Sequence, residues 1–399
     1  MGLKRTNPKF ASIFSGCGGF DLGFVRAGFT CEMALDIDPS AIDVHRKNLK
    51  SPAFVCDLSN GHVPLETLSD LDVLLAGSPC QGFSTAGRRK FDDPRNQLLL
   101  TAGNIATLVR PKVFIAENVA GVTAMPHSYY WDSLILMLRE AGYRTASLIC
   151  RATQMGVPQI RKRALIIAWN TGAETEISLP YVCGGTLRSA LSNVVGTLNH
   201  QPKPLPSDGD LYKVATRIKQ GQKLSNVRGG PRAVHTWQIP EVFGRTTEVE
   251  RTVLETLMRM RRRHRMRVIG DADPVSERRL STELGYSVSS PLKRLIGKGY
   301  VRRAGRRYDL SHTFNGKFRR LYLDLPSLTV DTRFGNPRYF LHPTQQRGFT
   351  VREAARIQGF PDSFVFSGSE SSQFRLIGNA VPPPLARGLA SFVIEAFLH

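Results

Sequence analysis

The chain has 399 residues, a formal net charge of +21 and 22% charged residues. A chain of this length can bury a full hydrophobic core, and we expect two domains or one large domain with an insertion. Its basic N-terminus differs from a signal peptide and its apolar runs are too short to span a membrane, which predicts an intracellular protein. The six cysteines are scattered without a Cys-x-x-Cys pair, which favours reduced thiols and no bound metal.

A glycine-rich turn follows the first strand-like segment of the chain. Phe10–Phe14 reads as a strand, Ser15–Phe20 as the turn, and the residues after it as an amphipathic helix. Glycines between a strand and a helix let the backbone turn tightly and approach a ligand. The spacing is not the Gly-x-Gly-x-x-Gly of dinucleotide-binding proteins, and a glycine turn alone does not identify a cofactor.

Acidic residues end the next two predicted strands. Cys31–Leu35 leads to Asp36, and Ala53–Cys56 leads to Asp57. An acid about twenty positions after a glycine loop can accept hydrogen bonds from both hydroxyls of a ribose, and Asp36 has that spacing. Either acid alone can equally cap the helix that follows it. Three strand-terminal sites in a row favour a dinucleotide-like α/β fold.

A fourth apolar run, Leu71–Leu75, precedes a segment that contains Pro79 and Cys80. This order puts a thiol at the mouth of a sheet, where α/β enzymes keep their ligands. A free cysteine is usually a small buried apolar residue, so Cys80 alone does not establish a nucleophile. Residues Gly82–Lys90 are polar, basic and glycine-containing, and we expect a mobile loop there.

The apolar segment Pro111–Ala116 delivers Glu117 to the same predicted edge of the sheet. A glutamate in such a place is costly to bury as an anion without a partner. It is therefore either paired or partly protonated, and both states suit a general acid. Further along, Ser147–Cys150 and Ala164–Trp169 read as antiparallel strands that flank Gln159–Arg163.

Five segments resemble, in the same order, the blocks of the DNA (cytosine-5) methyltransferase family: Phe14–Gly19, Pro79–Gln81, Glu117–Val119, Gln159–Arg163 and Gly378–Pro382. The resemblance covers nearly the whole chain apart from its central stretch. It implies a doubly wound, Rossmann-like S-adenosylmethionine-dependent methyltransferase domain. It also implies transfer of a methyl group to C5 of cytosine within a specific duplex DNA sequence, of the restriction-modification type.

The resemblance assigns the chemistry to four residues: Cys80, Glu117, Arg161 and Arg163. C5 of cytosine is a poor nucleophile, and addition of the Cys80 thiolate to C6 turns the ring into an enamine that can attack a methyl sulfonium. Glu117 would donate to N3 and Arg163 would hold O2, with Arg161 beside it. A base inside a duplex exposes neither face, so the cytosine must be flipped out.

The cofactor site implied by the resemblance holds S-adenosylmethionine. Its predicted members are Phe14, Gly16, Gly18, Gly19, Asp36, Ile37, Asp57, Pro79, Leu98, Asn379 and Val381.

Most of the positive charge lies in the central stretch. From Leu211 to Leu325 there are 26 lysines and arginines against 10 acids, a surplus of 16. A surplus this concentrated favours a polyanion-binding surface over a merely solvated one. Thr247–Glu250 has the Thr-x-x-Glu form that opens a helix, and the same form recurs at Thr350–Glu353.

Two short helices and a basic hairpin follow the first of these capping sequences. The segments Ser276–Leu284 and Ser289–Lys298, with a hairpin around Gly305, suggest a winged helix-turn-helix, although short helices with basic faces are also common as solvated surface. The predicted DNA-binding residues are Gln81, Ser84, Arg88 and Arg89 in the loop after Cys80, and Lys293, Arg294 and Lys298 in this region.

We therefore predict a catalytic domain at residues 1–170, a smaller basic target-recognition domain at 171–320, and a return of the catalytic domain at 321–399. Its last helix, from Leu385, is expected to fold back beside the first strand. The expected partner is double-stranded DNA, with a cognate restriction endonuclease that activity does not require. We expect a monomer without a membrane association, at the nucleoid of a prokaryotic cytoplasm.

Three alternatives remain open at this stage. A tRNA-acting cytosine-5 methyltransferase shares the motifs, but the large basic insertion favours duplex DNA. A catalytically silent DNA-binding protein is disfavoured because Cys80, Glu117 and Arg163 are all present. A nicotinamide oxidoreductase fits the general fold pattern, but the glycine spacing does not suit it.

Overall fold

The computed structural model describes residues 7–60, 70–79, 94–125, 128–172, 176–263, 265–266 and 272–398. The chain forms two compact units. The first comprises Met1–Gln201, Asp324–Thr332 and Thr350–His399, and the second comprises Pro202–Leu323 and Arg333–Phe349.

The described helices are α1 Gly19–Arg26, α2 Pro39–Leu49, α3 Gln97–Val109, α4 Ser128–Glu140, α5 Leu187–Leu191, α6 Asp210–Arg217, α7 Pro240–Phe243, α8 Glu248–Arg263, α9 Glu277–Leu284, α10 Ser289–Gly297, α11 Val351–Ile357, α12 Glu370–Asn379 and α13 Pro383–Phe397. The described strands are β1 Lys9–Ile13, β2 Thr30–Asp36, β3 Ala53–Val55, β4 Val73–Ala76, β5 Val113–Val119, β6 Arg144–Arg151, β7 Gln159–Ile160, β8 Lys162–Trp169, β9 Lys223–Ser225, β10 Ala233–Val234, β11 Val275–Ser276, β12 Val301–Ala304, β13 Arg307–Leu310, β14 Asn315–Lys317, β15 Arg319–Arg320, β16 Ser327–Leu328 and β17 Phe340–Leu341. Over the ranges described, a helix with the length and hydropathy to cross a bilayer is not found.

The first unit is built on a seven-stranded sheet with the order β3-β2-β1-β4-β5-β8-β6. All neighbours pair in parallel except β8, which runs antiparallel to both β5 and β6. The chain leaves β1 toward one side of the sheet and returns at β4 on the other, so the strand order reverses between β1 and β4. This confirms the predicted α/β, Rossmann-like sheet, including the antiparallel strands expected around residues 147–150 and 164–169.

Helices cover both faces of this sheet, which explains why its central strands are continuously apolar. Neighbouring residues of β4 point into different cores: Leu75 belongs to the core that includes Phe24 of α1, and Leu74 to the core that includes Leu134 of α4. Each buried leucine of this kind contributes on the order of 1.5–3 kcal/mol to folding. Substitution at either alternating set of positions would therefore disturb a packed layer.

The first and last helices pack directly on each other on one face of the sheet. Gly23 of α1 has no room for a side chain, because a Cβ atom there would meet Ala386 and lie 2.6 Å from the backbone nitrogen of Arg387 in α13. Leu385 and Leu389 of α13 share one core with Phe10 of β1. The predicted return of the last helix to the first strand is thus present.

Two of the hydrophobic cores among the described residues lie in the second unit. One gathers around the sheet β10-β9-β14 and includes Leu224 and Phe318. The other joins α8, α9 and α10 to the sheet β11-β13-β12 and includes Leu257 and Leu292. The predicted capping sequence opens α8: the Thr247 amide donates to Glu250 Oε2 at 2.9 Å and the Glu250 amide donates to Thr247 Oγ1 at 3.2 Å.

The compact units divide the chain at other positions than the predicted domains. Residues up to Gln201 belong to the first unit, where Arg356 Nη2 donates to the Asn193 carbonyl at 3.0 Å. Residues 333–349 belong to the second unit, where the buried Arg320 donates through Nη1 to the carbonyls of His342 and Gln345 at 2.6 and 2.9 Å. A buried guanidinium needs such acceptors, and these come from a segment that the sequence pattern assigned to the catalytic return.

Candidate active site

One cavity of about 280 Å³ lies in the first unit where the sheet strands end. Residues at or just after the ends of β1, β2, β3, β4 and β5 contribute to its wall, at the point where the strand order reverses, which is where open α/β sheets bind their ligands. The predicted site residues on its wall are Phe14, Gly16, Asp36, Ile37, Asp57, Pro79, Leu98, Glu117, Arg163, Asn379 and Val381. Gly18 and Gly19, which were also predicted, are not among the residues that line this cavity in the described part of the chain.

The turn after β1 has a tightly constrained backbone. Phe14 and Gly16 both have φ of 55°, and Gly18, which precedes α1, has φ of 88°. A left-handed conformation at a non-glycine residue such as Phe14 costs about 1 kcal/mol or more and is typical of ligand-binding segments. A Cβ atom on Gly18 would also lie 2.7 Å from Cδ2 of the buried His45. This turn is therefore held in one shape at the edge of the cavity.

Asp36 fixes the same turn from the end of β2. Its carboxylate accepts the Gly16 amide at 2.8 Å and the Asp38 amide at 2.9 Å. Burial raises the pKa of Asp36 above its ordinary value, although these two backbone hydrogen bonds act to lower it. Asp57 differs, because its hydrogen bonds from Ser59 lower its pKa. The two acids on the wall thus respond differently to pH.

Glu117 and Arg163 form an ion pair on the cavity wall. Arg163 Nε lies 2.6 Å from Glu117 Oε1, and the two residues are 9% and 7% exposed. Their strands bring them together, since Arg163 of β8 is the register partner of Val119 in β5. The sequence led us to expect Glu117 to be either paired or partly protonated, and in the structure it is paired. A charge-assisted bond of this kind orients both side chains toward the cavity.

Arg161 is 1% exposed, and its guanidinium binds backbone carbonyls. Nη1 donates to the Val330 carbonyl at 3.2 Å, and Nη2 donates to Gly378 and Ala380 at 3.1 and 3.0 Å. The resemblance puts this residue beside Arg163 in the active site. In the structure it ties the strand segment to the turn after α12, which carries Asn379 and Val381.

Several residues at the site were not predicted from the sequence. Asn118 is fully buried and donates through Nδ2 to the carbonyl and Oγ of Ser78, at 3.4 and 3.3 Å. It therefore fixes the segment that leads into Pro79. Arg375 lines the cavity and pairs with Asp38 at 2.6 Å. A buried amide beside a strand-terminal acid is the signal for Asn118, whereas nothing local marks Arg375.

The predicted nucleophile and loop contacts fall on residues outside the described ranges: Cys80, Gln81, Ser84, Arg88 and Arg89. Two described cysteines line the cavity, Cys17 and Cys56. Burial raises the pKa of Cys17 to about 12 and also raises that of Cys56. Because a thiol must ionise to act as a nucleophile, neither of these residues suits the role. Cys80 stays the predicted nucleophile.

In the second unit, the predicted DNA contacts Arg294 and Lys298 bind a buried glutamate. Arg294 Nε lies 3.1 Å from Glu250 Oε1, and Lys298 Nζ lies 2.7 Å from Glu250 Oε2. Burial acts to raise the pKa of Glu250, but bonds from Lys298, the Thr247 amide and Arg294 lower it overall. These contacts hold α10 on α8. Lys293, on the same helix, is exposed.

The sheet topology, the constrained glycine turn, and the acids and buried ion pair around one cavity give an α/β fold with a ligand site at the point where the strand order reverses. Residues 8–395 match the family described as C-5 cytosine-specific DNA methylase, which makes this an α/β methyltransferase. The chain belongs to this family and is a DNA (cytosine-5-)-methyltransferase. It therefore carries the activity that the sequence resemblance predicted.

Its relatives include type II methyltransferases of bacteria. M.AgeI of Thalassovita gelatinovora is 31% identical over 96% of this chain and 99% of that protein. M.HgiCII of Herpetosiphon aurantiacus is 29% identical over 96% of this chain and 95% of that protein. The fold is shared with a candidate DNA modification methyltransferase encoded within a prophage of E. coli, with a TM-score of 0.60, 23% identity and coverage of 98% and 100% of the two chains.

Proposed function

We propose that this enzyme transfers the methyl group of S-adenosylmethionine to C5 of a cytosine in a specific duplex DNA sequence, through a covalent Cys80 adduct. The observation that carries the proposal is the Glu117–Arg163 ion pair, which lies on the wall of the same cavity as Asp36 and Phe14. A site for a cytosine ring and a site for a nucleoside are thereby adjacent. Cys80 directly follows Pro79, a further wall residue.

The cavity suits an adenosine-containing cofactor. Phe14, Leu98 and Val381 give it apolar walls, and Ile37 is 61% exposed beside them, as is typical of an apolar surface that a ligand covers. Asp36 can accept hydrogen bonds from ribose hydroxyls, and we assign Asp57, which also lines the cavity, to a polar edge of the base. S-adenosylmethionine supplies an electrophilic methyl group on a sulfonium. The chain supplies orientation, through these walls and acids.

The catalytic residues act on the cytosine ring. The Cys80 thiolate forms a bond to C6, and the C5=C6 electrons become available at C5. Glu117, ion-paired with Arg163 in the free enzyme, takes up a proton as the cytosine binds and donates it to N3, while the Arg163 guanidinium binds O2 and stabilises the charge that builds there. After C5 is methylated, a water molecule accepts the C5 proton, the C5=C6 double bond forms again, the Cys80 thiolate leaves, and N3 returns its proton to Glu117. The cytosine reaches these groups only when it is flipped out of the duplex.

We assign Arg161 a positioning role instead of a catalytic one. Its bonds to the carbonyls of Gly378 and Ala380 hold the turn that carries Asn379 and Val381 against the cavity. Asn118 acts in the same way on the segment before Cys80, through Ser78. Both residues would influence the reaction through other groups and not by contact with the cytosine.

The second unit is the proposed target-recognition domain. The order α8-β11-α9-α10-β12-β13, with a sheet of order β11-β13-β12, is the order of a winged helix-turn-helix, and we propose that it binds duplex DNA. Lys293 of α10 and the exposed hairpin residues Arg306 and Arg307 are its proposed contacts. We propose that the enzyme acts as a monomer at the prokaryotic nucleoid. We also propose a companion endonuclease, which methylation does not require.

The test is bisulfite sequencing of DNA from cells that express the chain, with cells carrying the empty vector as the control. We expect cytosines in one short motif to resist conversion in the first sample and to convert in the second. The same treatment of tRNA from both samples tests the RNA alternative. Protection of tRNA without protection of DNA would contradict the proposal, as would protection of neither.

Binding of S-adenosylmethionine is expected to weaken as the pH falls, because of Asp36. Its raised pKa means that the anion, which accepts the ribose hydrogen bonds, is lost at a higher pH than an ordinary aspartate would lose it. Asp36→Asn is expected to lower affinity by about 10- to 100-fold near neutral pH, the value of one or two charged hydrogen bonds, and to flatten the pH dependence. Calorimetric titration of the cofactor across the acid range measures both effects.

Asp57→Asn is the matched control for this titration. Since the pKa of Asp57 is lowered, its carboxylate stays ionised through most of that range, and the variant should keep the wild-type pH dependence even where its affinity is reduced. An Asp36→Asn enzyme with an unchanged pH profile would remove Asp36 from the cofactor site.

A further inference from the structure

A second cavity, of about 920 Å³, lies wholly within the second unit and is unused by the chemistry described so far. Its lining includes the turn Arg228–Gly230 and the last part of α8, with Arg259, Arg262 and Arg263. We call this cavity the arginine cleft. His235, Met258 and the acidic residue Glu255 also line it.

Among the described residues, acidic side chains neutralise only some of the arginines of the cleft. Arg259 and Arg263 share one carboxylate, that of Glu283, at 3.0 and 3.3 Å. Arg228 and Arg262 are exposed and form no ion pair with any of the residues described. Two guanidinium groups, one from the turn and one from α8, are thus available to an anion that enters the cleft.

The positive charge continues from the cleft along β9. Burial is the main cause that lowers the pKa of Lys223. The nearby positive charges of Arg319, Arg228 and Arg232 lower it further. Like charges held together repel each other in the free protein, and such clusters are relieved when a polyanion binds and releases its counterions. The cluster therefore marks a surface for an extended anion instead of a single small one.

The shape of the wall fits a phosphodiester strand. Gly229 and Gly230 follow Arg228 directly, are exposed, and present backbone without side chains at the cleft. A phosphate can approach such a backbone closely. An arginine beside it can donate two parallel hydrogen bonds to the phosphate oxygens. The size of the cleft also exceeds the volume that an isolated phosphate needs.

We propose that the arginine cleft binds the sugar-phosphate backbone of the duplex DNA substrate, with Arg228 of the turn and Arg262 of α8 as phosphate contacts. The proposal rests on the proposed function and adds a DNA surface separate from α10 and its hairpin. Contacts of this kind fix the register of the protein on the duplex and carry no sequence information themselves. The motif read by the enzyme should therefore not depend on them.

The test uses the full-length enzyme and a duplex that contains the methylated motif. The double variant Arg228→Ala/Arg262→Ala is expected to bind this duplex more weakly and with a shallower dependence on salt. Each lost phosphate contact should reduce the slope of log K against log salt by about 0.9. Glu255→Gln, which removes an acid from the wall, should raise the affinity for the same duplex.

Arg251→Ala is the matched control, since Arg251 is an exposed arginine of the same helix that does not line the cleft. It should leave the salt slope near that of the wild type, and the thermal unfolding of all variants should be unchanged. An unaltered slope in the double variant would overturn the proposal. So would an equal loss in Arg251→Ala, or a loss of tRNA binding with duplex binding intact.

Methylation assays separate this proposal from the proposed function. At a DNA concentration that saturates the double variant, it should form 5-methylcytosine in the same motif and at the wild-type single-turnover rate. A wild-type enzyme that forms no 5-methylcytosine contradicts the proposed function, whatever the salt slopes are. A wild-type enzyme that methylates DNA, beside a double variant with unaltered binding, contradicts the arginine cleft alone.

Discussion

Glu117→Ala is expected to lower kcat for DNA methylation by about 100- to 10,000-fold, the usual contribution of a general acid. The variant has no group to protonate N3 while the Cys80 adduct forms, so charge would accumulate in the ring. Binding of DNA should persist, because the residue lies in the cavity of the first unit. Single-turnover measurement of methyl transfer to a saturating duplex reports the chemical step directly.

The variant Glu117→Gln separates two roles of this carboxyl group. An amide can donate a hydrogen bond to N3 but cannot transfer a proton, so its rate should lie between those of Glu117→Ala and the wild type. Glu117→Ala leaves Arg163 without its 2.6 Å partner, whereas Glu117→Gln replaces the ion pair with a hydrogen bond to a neutral amide oxygen; thermal unfolding of both variants controls for the loss of stability. A Glu117→Ala enzyme with more than about a tenth of the wild-type rate would contradict an acid role.

Cys80→Ser is expected to lower methyl transfer by roughly 10⁴-fold or more, because the hydroxyl is far less ionised than a thiol at neutral pH. A duplex with 5-fluorocytosine at the target gives a second readout. The fluorine cannot leave as a proton does, so the wild-type adduct should persist through denaturation, while Cys80→Ser should form none.

Cys183→Ser is the matched control for the nucleophile, since Cys183 is an exposed free cysteine outside the cavity wall. It should retain both turnover and the trapped complex. Trapping by Cys80→Ser, or loss of trapping in Cys183→Ser with Cys80 intact, would show that the nucleophile is misassigned. Because burial raises its pKa, Cys17 is not expected to replace Cys80 as the nucleophile.

The sheet and the edge that carries the site were predictable because their determinants are local. Apolar runs predicted β4, β5 and β8, since the parts of these strands that are buried on both faces are nearly continuously apolar. Residues at the carboxyl ends of parallel strands meet at one edge, which is why Glu117 could be assigned in advance to the edge that precedes Cys80. The role of Arg163 came from the family resemblance, and the register of β8 on β5 explains its pairing with Glu117.

The roles of Arg161, Arg294 and Lys298 depend on contacts between distant parts of the chain. Arg161 binds carbonyls in the turn after α12, and no local pattern reveals such acceptors. The sequence identified Glu250 as a helix-capping residue, but its burial is what draws Arg294 and Lys298 toward it. A basic helix face and a set of buried salt bridges look alike until the packing is known.

The contact of α1 with α13 has a consequence for the synthesis of the enzyme. While the chain grows on a ribosome, the face of the sheet that holds Phe10 lacks the part of its cover that α13 provides until α13 emerges. The turn with Asn379 and Val381, which completes the cavity wall, is also made at that late stage. Contacts between the two ends of a long chain form slowly and leave apolar surface exposed meanwhile. Until α13 has been synthesised, the nascent chain therefore exposes apolar surface that the folded unit buries and lacks a complete methyl-transfer site.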